Sequence, residues 1–571
     1  MKDVIFERQY SLTYSSIYND SEFFNINDTL NGIPSITAIE RISYILSQIS
    51  LPWNINRTQH AIIFGQWVLR LASEDNRKVS KIIQTKDLLN DPSFYFIDAV
   101  ACLLLIEYLL ENNNSTEQEL TAEQESKLFK SYLWCTKISI KKQEDAFNYT
   151  GNENTEELLS KILPSILNFR EIDSFKDYRV QFIKIFYFFK FCDTDTQYKE
   201  YLTLFLKEYN LDSWDKYLLY LISLYSIIIT NHERTPKLNI QHSDNPTTEF
   251  LNILCLKELD NYKRTDDFNL LRNCPIYKYE NNYLFLYFNF FVDKFYQGFL
   301  FDFVRILNKN NCKISDFGKL KSDLGLKYSE HISFYKTMDL CFSKYATICI
   351  RGESIKKILK EGEPDFYMRQ GNKVFLFEFK DSTLNANIKY SNKIEAIRTS
   401  ILGKFEETLD GQKKGIRQLI NSIKNIRDSQ FNNAELDLYD NERSTIYPII
   451  VHTDCSFEVE GVNYLLKERF EMLLNENVIK DRYLIKSIIL VNLDTLISLQ
   501  DLFHSRTLKL SSCINEYLDY TNSKRNQLNQ IYPFDKFLME QAFQKGYKNL
   551  APNEFKSMIE GLVKLDKNKI H

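Results

Sequence analysis

The stretch EPDFYMRQGNKVFLFEFKD, residues 363–381, constrains the fold of this chain more than any other segment. Two apolar-rich runs flank Gln370-Gly371-Asn372, and a Gly next to an Asn is a turn signal. Side chains alternate along the second run, so Glu378 and Lys380 share one face of a strand and three phenylalanines share the other. The segment therefore predicts a β-hairpin that ends in a carboxylate and an ammonium group.

Three ionisable side chains are expected to meet at the open end of this hairpin. With a turn centred near Gly371, Asp365 lies opposite Phe377 and Glu378 and close to Lys380. Paired carboxylates suit Mg²⁺, which takes oxygen ligands and lowers the pKa of a bound water. A lysine beside them can orient that water or neutralise developing negative charge. The alternative is a surface hairpin with an incidental Glu-Phe-Lys ending.

The arrangement of Pro364-Asp365 and Glu378-Phe379-Lys380 at the end of an apolar strand resembles the PD-(D/E)XK nuclease superfamily. That superfamily includes restriction endonucleases and Holliday junction resolvases. The resemblance implies a nuclease that depends on Mg²⁺, for which Mn²⁺ can substitute. It also implies that Asp365, Glu378 and the backbone carbonyl of Phe379 are metal ligands and that Lys380 is the catalytic lysine.

The same resemblance favours DNA over RNA as the substrate, and a large helical region beside such a core is typical of restriction or phage-defence systems. That second point is an analogy of architecture. A catalytically inert nuclease-fold module that binds nucleic acid or a protein is the alternative. The presence of Asp365, Glu378 and Lys380 argues against it, because a non-catalytic fold has no need for all three residues.

Two further residues match positions that the resemblance makes functional. A helix is predicted over Ser329–Ser343, and Glu330 in its first turn corresponds to a helix-borne acid that faces the metals in such nucleases. Gln418, in the Gly415–Leu419 segment of a later helix, corresponds to a glutamine that contacts the site or the substrate backbone. The alternatives are an ordinary first-turn acid and a glutamine on an amphipathic helix.

The charge balance changes locally beside the predicted hairpin. The whole chain has a net charge of −4, whereas residues 355–427 hold fifteen Lys and Arg against nine Asp and Glu. A basic surface beside an acidic metal site is what binding to a phosphate backbone requires. A solvated helix face is the alternative explanation of the charge run. The residues predicted to bind nucleic acid are Lys389, Lys393, Lys413, Lys414 and Arg417.

Composition and segment lengths indicate a cytoplasmic protein with no membrane association. The ten cysteines form no CxxC pair and no Cys/His cluster, which is typical of scattered thiols in a reducing compartment. The sequence MKDVIFERQYSL lacks the apolar core of a signal peptide. The longest apolar run, Tyr217–Thr230, is short for a bilayer span and predicts a buried helix.

The predicted fold class is mainly α with an α/β core. Helical spacing dominates residues 1–270, whose role is unassigned and which could bind a protein partner. A restriction-endonuclease-like domain with a mixed β-sheet flanked by helices is expected over residues 271–510. Residues 511–571 are expected to form a C-terminal helical extension that acts as a cap or as a homo-oligomerisation element. The strands expected besides the hairpin are Ala346–Ile350, Ile446–His452 and Leu484–Leu493.

Overall fold

Helices and two small sheets account for the regular structure of the chain, seen in a computed structural model. It describes residues 11–569 except 19–23, 51–56, 92–93, 142–152, 169, 174–175, 231–234, 242–245, 258–261, 266, 360–361, 409, 439–442, 478, 480, 524–525 and 548–550. The observed architecture is mainly helical with an α/β core, which confirms the predicted fold class.

Helices make up most of the regular structure among the described residues. In order they are α1 (Tyr14–Ile17), α2 (Ile26–Leu30), α3 (Ser35–Ser50), α4 (Arg57–Val68), α5 (Ser73–Thr85), α6 (Ala99–Glu111), α7 (Ala122–Lys141), α8 (Thr155–Leu167), α9 (Arg170–Asp173), α10 (Tyr178–Thr194), α11 (Thr196–Glu208), α12 (Trp214–Thr230), α13 (Pro246–Ile253), α14 (Asn269–Asn273), α15 (Phe288–Asp293), α16 (Gln297–Lys309), α17 (Phe317–Leu324), α18 (Tyr335–Phe342), α19 (Gly352–Lys356), α20 (Ala386–Lys389), α21 (Ile394–Phe405), α22 (Gly415–Arg427), α23 (Val462–Glu476), α24 (Leu493–His504), α25 (Leu510–Thr521), α26 (Gln527–Gln530), α27 (Phe534–Gln544) and α28 (Asn553–Lys569). A π-helix, Gly325–Phe334, joins α17 to α18. None of the described helices combines the length and the hydropathy that a membrane span needs.

The strands in the described part of the chain form two separate sheets. They are β1 (Lys237–Asn239), β2 (Ile276–Tyr279), β3 (Asn282–Phe285), β4 (Ile348–Arg351), β5 (Phe366–Gln370), β6 (Lys373–Lys380), β7 (Thr445–His452) and β8 (Ile489–Asn492). The small sheet has the order β1-β3-β2, and the five-stranded sheet has the order β4-β5-β6-β7-β8. The three strands expected beside the hairpin are present, with β8 shorter than predicted.

The five-stranded sheet is mixed, and β6 is its central strand. Strand β6 pairs antiparallel with β5 and parallel with β7, and β7 pairs parallel with β8. Parallel neighbours need a crossover connection, which α20 to α22 provide between β6 and β7. The ends of β6, β7 and β8 are therefore in register at one edge, where Lys380 lies opposite His452 and His452 lies opposite Asn492.

The predicted hairpin is present, with a register that differs slightly from the expectation. Gln370 pairs with Lys373, so Gly371 and Asn372 form a two-residue turn, and Gly371 adopts the left-handed φ of +60° that this turn requires. The centre of the turn lies between these two residues rather than on Gly371. Because Phe366 pairs with Phe377, the next position places Asp365 directly opposite Glu378.

The two faces of the sheet are covered by different kinds of side chain. Val374 and Leu376 belong to an aliphatic core that includes residues of α8, α21, α22 and α23. On the opposite face, Phe375, Phe377 and Phe379 pack against aromatic rings of β7, α18 and the π-helix. The alternation in the sequence thus predicted correctly which residues of β6 share a face.

The chain divides into two compact units whose boundaries differ from the predicted domains. One contains the described residues of Asp145–Glu171 and Gly318–His571, and the other those of Glu7–Glu144 and Ile172–Phe317. Helix α8 was expected within the helical domain of residues 1–270, yet its apolar face enters the core of the sheet-containing unit. The segment after residue 511 also belongs to that unit instead of forming a separate extension.

Replacing Leu163 by alanine should destabilise the sheet-containing unit by about 2–5 kcal/mol, because a buried leucine is lost from a closely packed core. Leu163 is fully buried in the cluster that covers β6. The loss of stability is measured by urea unfolding of the full chain, with a spectroscopic signal from the sheet-containing unit as the readout. The control is Leu438→Ala, since Leu438 is 69% exposed and its truncation should change little. Equal losses in the two variants would show that α8 is not part of this core.

Candidate active site

Three of the predicted site residues converge where β6 ends. The Lys380 ammonium lies 2.9 Å from Glu378 Oε2 and 3.8 Å from Asp365 Oδ2. Glu378 and Lys380 are two residues apart on β6, so their side chains leave the same face of the strand. Asp365 immediately precedes β5 and reaches the pair from the neighbouring strand. The sequence prediction that these three groups meet is therefore matched by their positions.

The backbone fixes Asp365 in this position. The Phe379 N–H donates a hydrogen bond of 2.7 Å to Asp365 Oδ2, and the Gly352 N–H donates one of 2.8 Å to the Asp365 carbonyl. Gly352 has to be glycine here, because a Cβ would lie 2.8 Å from the Pro364 carbonyl oxygen. In an extended strand, the N–H and C=O of one residue point to the same side. The Phe379 carbonyl therefore points to the side from which Asp365 approaches.

Burial and charge make Glu378 the most perturbed group of the cluster. Its side chain is 0% exposed, and its Oε1 has no hydrogen-bond partner among the described residues. Burial, followed by the charge of Asp365, raises the pKa of Glu378 well above its usual range, although Lys380 favours the ionised form. Burial alone would lower the pKa of Lys380, but Glu378 and Asp365 outweigh it and raise that pKa. Lys380 is therefore positively charged.

Glu330 lies in the π-helix, and the charges of Asp365 and Lys380 act on its carboxyl group. The segment was predicted as an ordinary helix over Ser329–Ser343, and the structure shows a π-helix that continues into α18. The Tyr335 hydroxyl donates a hydrogen bond of 2.7 Å to Glu330 Oε1. Burial and the charge of Asp365 raise the pKa of Glu330. The charge of Lys380 acts in the opposite direction, but it does not outweigh them. π-Helical turns occur often at functional sites because they re-aim a side chain.

Asp381 organises the surroundings of the cluster and was not singled out by the sequence. Its carboxylate forms an ion pair with Lys321 and accepts hydrogen bonds of 2.6 Å from Ser329 Oγ and Thr453 Oγ1. Burial alone would raise the pKa of Asp381, but Lys321 and the two hydroxyl groups lower it. The position of Asp381 next to Lys380 was the only sequence signal, since its partners come from distant segments.

Gln418 lies in α22, which covers the same face of the sheet as Glu378. The helix approaches closely at Gly415, where a Cβ would lie 3.0 Å from the side chain of Ile450, the residue of β7 paired with Glu378. Gln418 Oε1 is buried, and no described residue offers it a hydrogen bond. The structure thus places Gln418 on the expected helix, without a recorded bond to the three converging groups.

The residues predicted to bind nucleic acid fall into three groups. Lys393 and Lys413 are exposed, and Lys414 is half-buried. Arg417 lies 2.9 Å from carboxylate oxygens of Glu406 and Glu407, so its charge is largely matched. Lys389 does not fit the prediction.

Lys389 is a buried structural cation rather than a surface contact for nucleic acid. Its ammonium pairs with Glu171 and lies 3.9 Å from Asp454 Oδ2. Burial would lower its pKa, but Asp454 and Glu171 raise the pKa of Lys389 to about 12. The local charge count could not reveal this, because Glu171 lies more than two hundred residues earlier in the chain.

His452 and Asp454, at the end of β7, do not join the converging groups. His452 is fully buried against Phe457, and burial lowers the pKa of His452 to about 3, so that its ring is neutral. Asp454 accepts hydrogen bonds from the backbone N–H groups of Leu384 and Ser456. The hydrogen bonds of Asp454 hold the loops that follow β6 and β7.

The cluster has the charge and the ligand type that a hard divalent cation requires. Asp365 and Glu378 supply two carboxyl groups beside the single ammonium of Lys380, and the Oε1 of Glu378 has an unsatisfied acceptor position. Mg²⁺ needs only one or two carboxylates when waters or phosphates complete its shell. No group of three or more His, Cys, Asp or Glu side chains that could hold a metal ion is found in the described part of the chain.

Comparison with known proteins adds no assignment to this geometry. No protein-family model, curated protein or solved structure matches the chain.

The raised pKa of Glu378 predicts a specific pH dependence of stability in the absence of metal. The folded state holds the Glu378 proton more tightly than the unfolded state, so this contribution is complete below about pH 4.5 and is lost as the pH rises through the folded pKa. Glu378→Gln removes the contribution. The free energy of unfolding of the variant minus that of the wild type, from urea titrations in EDTA, should therefore increase between pH 5 and pH 8. If this difference in unfolding free energy stayed constant or fell with pH, the pKa of Glu378 would not be raised in the folded protein.

Proposed function

We propose that this protein is a metal-dependent nuclease that hydrolyses phosphodiester bonds at the end of β6. The observation that carries the proposal is the convergence of Asp365, Glu378 and Lys380, with the lysine nitrogen 2.9 and 3.8 Å from the two carboxylates. The site lies on the central strand of a mixed sheet, in the order of residues that the PD-(D/E)XK resemblance requires. A raised pKa in two neighbouring carboxyl groups adds support, since such groups cluster at functional sites.

The residues that would hold Mg²⁺ or Mn²⁺ are Asp365, Glu378 and the carbonyl of Phe379. When bound, the cation supplies charge stabilisation at a phosphoryl oxygen and a water of lowered pKa. The orphaned Oε1 of Glu378 supports this assignment, because a buried acceptor without a partner costs free energy that a cation would recover. Glu330, which accepts a hydrogen bond from Tyr335, is the helix-borne acid that the resemblance implies near the metals.

Lys380 contributes a fixed positive charge beside the reacting phosphate. Its ammonium group lies beside the carboxyl groups of Glu378 and Asp365, and it acts as a hydrogen-bond donor. Such a donor orients the attacking water and offsets negative charge that develops on the phosphate. Its short distance to Glu378 Oε2 fixes the ammonium in one place before the substrate arrives.

DNA is the proposed substrate, on the strength of the resemblance, with RNA as the second choice. Lys393 and Lys413 are exposed, and Lys414 is half-buried, so these three can contact a phosphate backbone. The proposed setting is a restriction or phage-defence system in the cytoplasm. In this setting, the helical region of residues 1–270 would bind a protein partner, and the chain could form a homo-oligomer.

A second candidate function is an inert nuclease-fold module that binds nucleic acid or a protein. The observation in its favour is the complete burial of Glu378, whose contact with Lys380 could serve only as an internal ion pair. Buried ion pairs are retained in some proteins for structural specificity. The two functions make opposite predictions about cleavage.

Plasmid DNA should be nicked or linearised by the full chain with Mg²⁺ or Mn²⁺ and left intact with EDTA. Lys380→Ala, Asp365→Asn and Glu378→Gln should each lower the cleavage rate by about 100-fold or more, because each removes a group that acts on the reacting phosphate or on the metal. Gel analysis of the time course measures the rates. Parallel digestion of single-stranded RNA separates the two substrate classes.

The matched control is Lys564→Ala, which removes a positive charge from an exposed position on α28 and should leave the rate unchanged. Binding of the plasmid without cleavage under every metal condition would support the inert module and overturn the nuclease. Cleavage that survives in Lys380→Ala would also overturn it.

A further inference from the structure

A group of exposed cations forms a second charged surface on the sheet-containing unit. This surface is called the basic patch, and its members are Lys344, Arg506, Lys509 and Lys545. The segments that carry them, residues 340–347, 502–511 and 543–547, hold no Asp or Glu. Among the described residues, no acidic side chain forms an ion pair with any of the four. This unmatched positive charge stands in a chain whose net charge is −4.

Side-chain contacts hold the three segments together as one surface. The Arg506 guanidinium lies 4.7 Å from the centre of the Tyr345 ring, and the Lys344 ammonium lies 5.2 Å from the same centre. Cations over an aromatic face are attracted to it, so the ring keeps these two charges side by side. The Lys545 ammonium donates a hydrogen bond of 3.4 Å to the carbonyl of Thr507, which follows Arg506. The cations are therefore neighbours in space although they are distant in sequence.

The basic patch lies at the end of β6 opposite the candidate active site. The Gly371 N–H at the hairpin turn donates a hydrogen bond of 3.5 Å to Thr347 Oγ1, in the first segment of the patch. Lys373, the first residue of β6, donates one of 2.9 Å to Ser511 Oγ, in the second segment. Lys380 ends the same strand, and at about 3.3 Å per residue the two ends are about 23 Å apart. The patch is therefore distinct from the candidate site.

An exposed aromatic ring accompanies these charges. Phe543 is 52% exposed and lies two residues before Lys545. Its ring centre is 6.0 Å from that of Tyr547, which supports it from one side. Exposed aromatic rings beside cations are the means by which proteins stack unpaired bases while holding the phosphate backbone.

Glu516 marks the border of the basic patch. Burial raises the pKa of the Cys513 thiol to about 11, and Lys545 lowers this pKa whereas Glu516 raises it. Both charges therefore act on one buried thiol, and Glu516 is itself exposed. A change of charge at Glu516 would extend the patch without touching its four cations.

We propose that the basic patch is a second DNA-binding surface, which holds the phosphate backbone of the substrate away from the candidate active site. The choice of DNA rests on the proposed function, whereas the affinity for a polyanion rests on the four cations themselves. A chain with a negative net charge attracts a phosphate backbone only through such a local concentration of positive charge. Nucleotides repeat about every 3.4 Å along a strand, so a DNA that contacts both surfaces has at least about seven nucleotides.

The test measures binding of a fluorescein-labelled DNA strand of about 30 nucleotides, and of its duplex, by fluorescence anisotropy with the full chain in EDTA. Arg506→Gln/Lys509→Gln should weaken binding at least about 10-fold near 100 mM salt. It should also lower the slope of log K against log salt by about 1.5, because two phosphate contacts no longer release counterions. Glu516→Lys should strengthen binding, since it adds a cation at the border of the patch.

The matched control is Lys556→Gln/Lys564→Gln, which removes the same amount of charge from exposed positions on α28 and should change the affinity less than about twofold. Melting temperatures of the variants show that each is folded. Equal effects of the two double variants, or tighter binding of the wild type to vesicles of anionic phospholipid than to DNA, would overturn the DNA-binding role of the patch. Cleavage with Mg²⁺ is measured separately, so the nuclease proposal would survive that result. Binding through the patch without cleavage in any metal would instead support the patch and overturn the nuclease.

Discussion

The structure of the candidate site depends on an excess of carboxyl groups around one buried ammonium. Asp365 and Glu378 lie beside Lys380, Glu378 is cut off from water, and the charges of Asp365 and Lys380 also act on Glu330. Such an arrangement costs free energy unless protons or a cation compensate for the negative charge. The raised pKa values of Glu378 and Glu330 express this cost as tightly held protons. A divalent cation in place of those protons would convert an unfavourable cluster into a binding site.

The hairpin and the strand next to it bring the groups of this cluster together. A two-residue turn at Gly371 sets Asp365 opposite Glu378, and the parallel pairing of β6 with β7 buries β6 at the centre of the sheet. Helices cover both faces, so the carboxyl group of Glu378 cannot reach water. Asp381 then closes the edge by linking three segments behind Lys380. The geometry of the site follows from one hairpin and its immediate supports.

The sequence predicts the parts of the fold that depend on local pattern. Alternation along Val374–Lys380 identifies β6, and its two faces are the observed ones, because period-two patterns report burial directly. The boundaries of the units could not be predicted in the same way. Helical spacing in α8 shows that Leu159 and Leu163 are buried, but it does not show against which element they pack. The structure places them against the sheet, far along the chain.

The same distinction applies to the site. Asp365, Glu378 and Lys380 are close in sequence, so hairpin geometry was enough to bring them together. Lys321 and Thr453 meet Asp381 only through the tertiary fold, and no spacing in the sequence indicates those contacts. Lys389 was wrongly predicted to bind nucleic acid for the same reason. A count of local charges includes this lysine, but its ion-pair partner, Glu171, lies in a distant segment.

The central claim is that a divalent cation binds beside Asp365 and replaces the proton of Glu378, and calorimetric titration of MgCl₂ into the chelator-treated protein tests it most directly. Titrations near pH 7 in buffers of different ionisation enthalpy give the number of protons released for each cation bound. The account predicts saturable binding with release of a proton, and loss of both in Glu378→Gln. Absence of binding, or binding that releases no proton and persists in that variant, would contradict it.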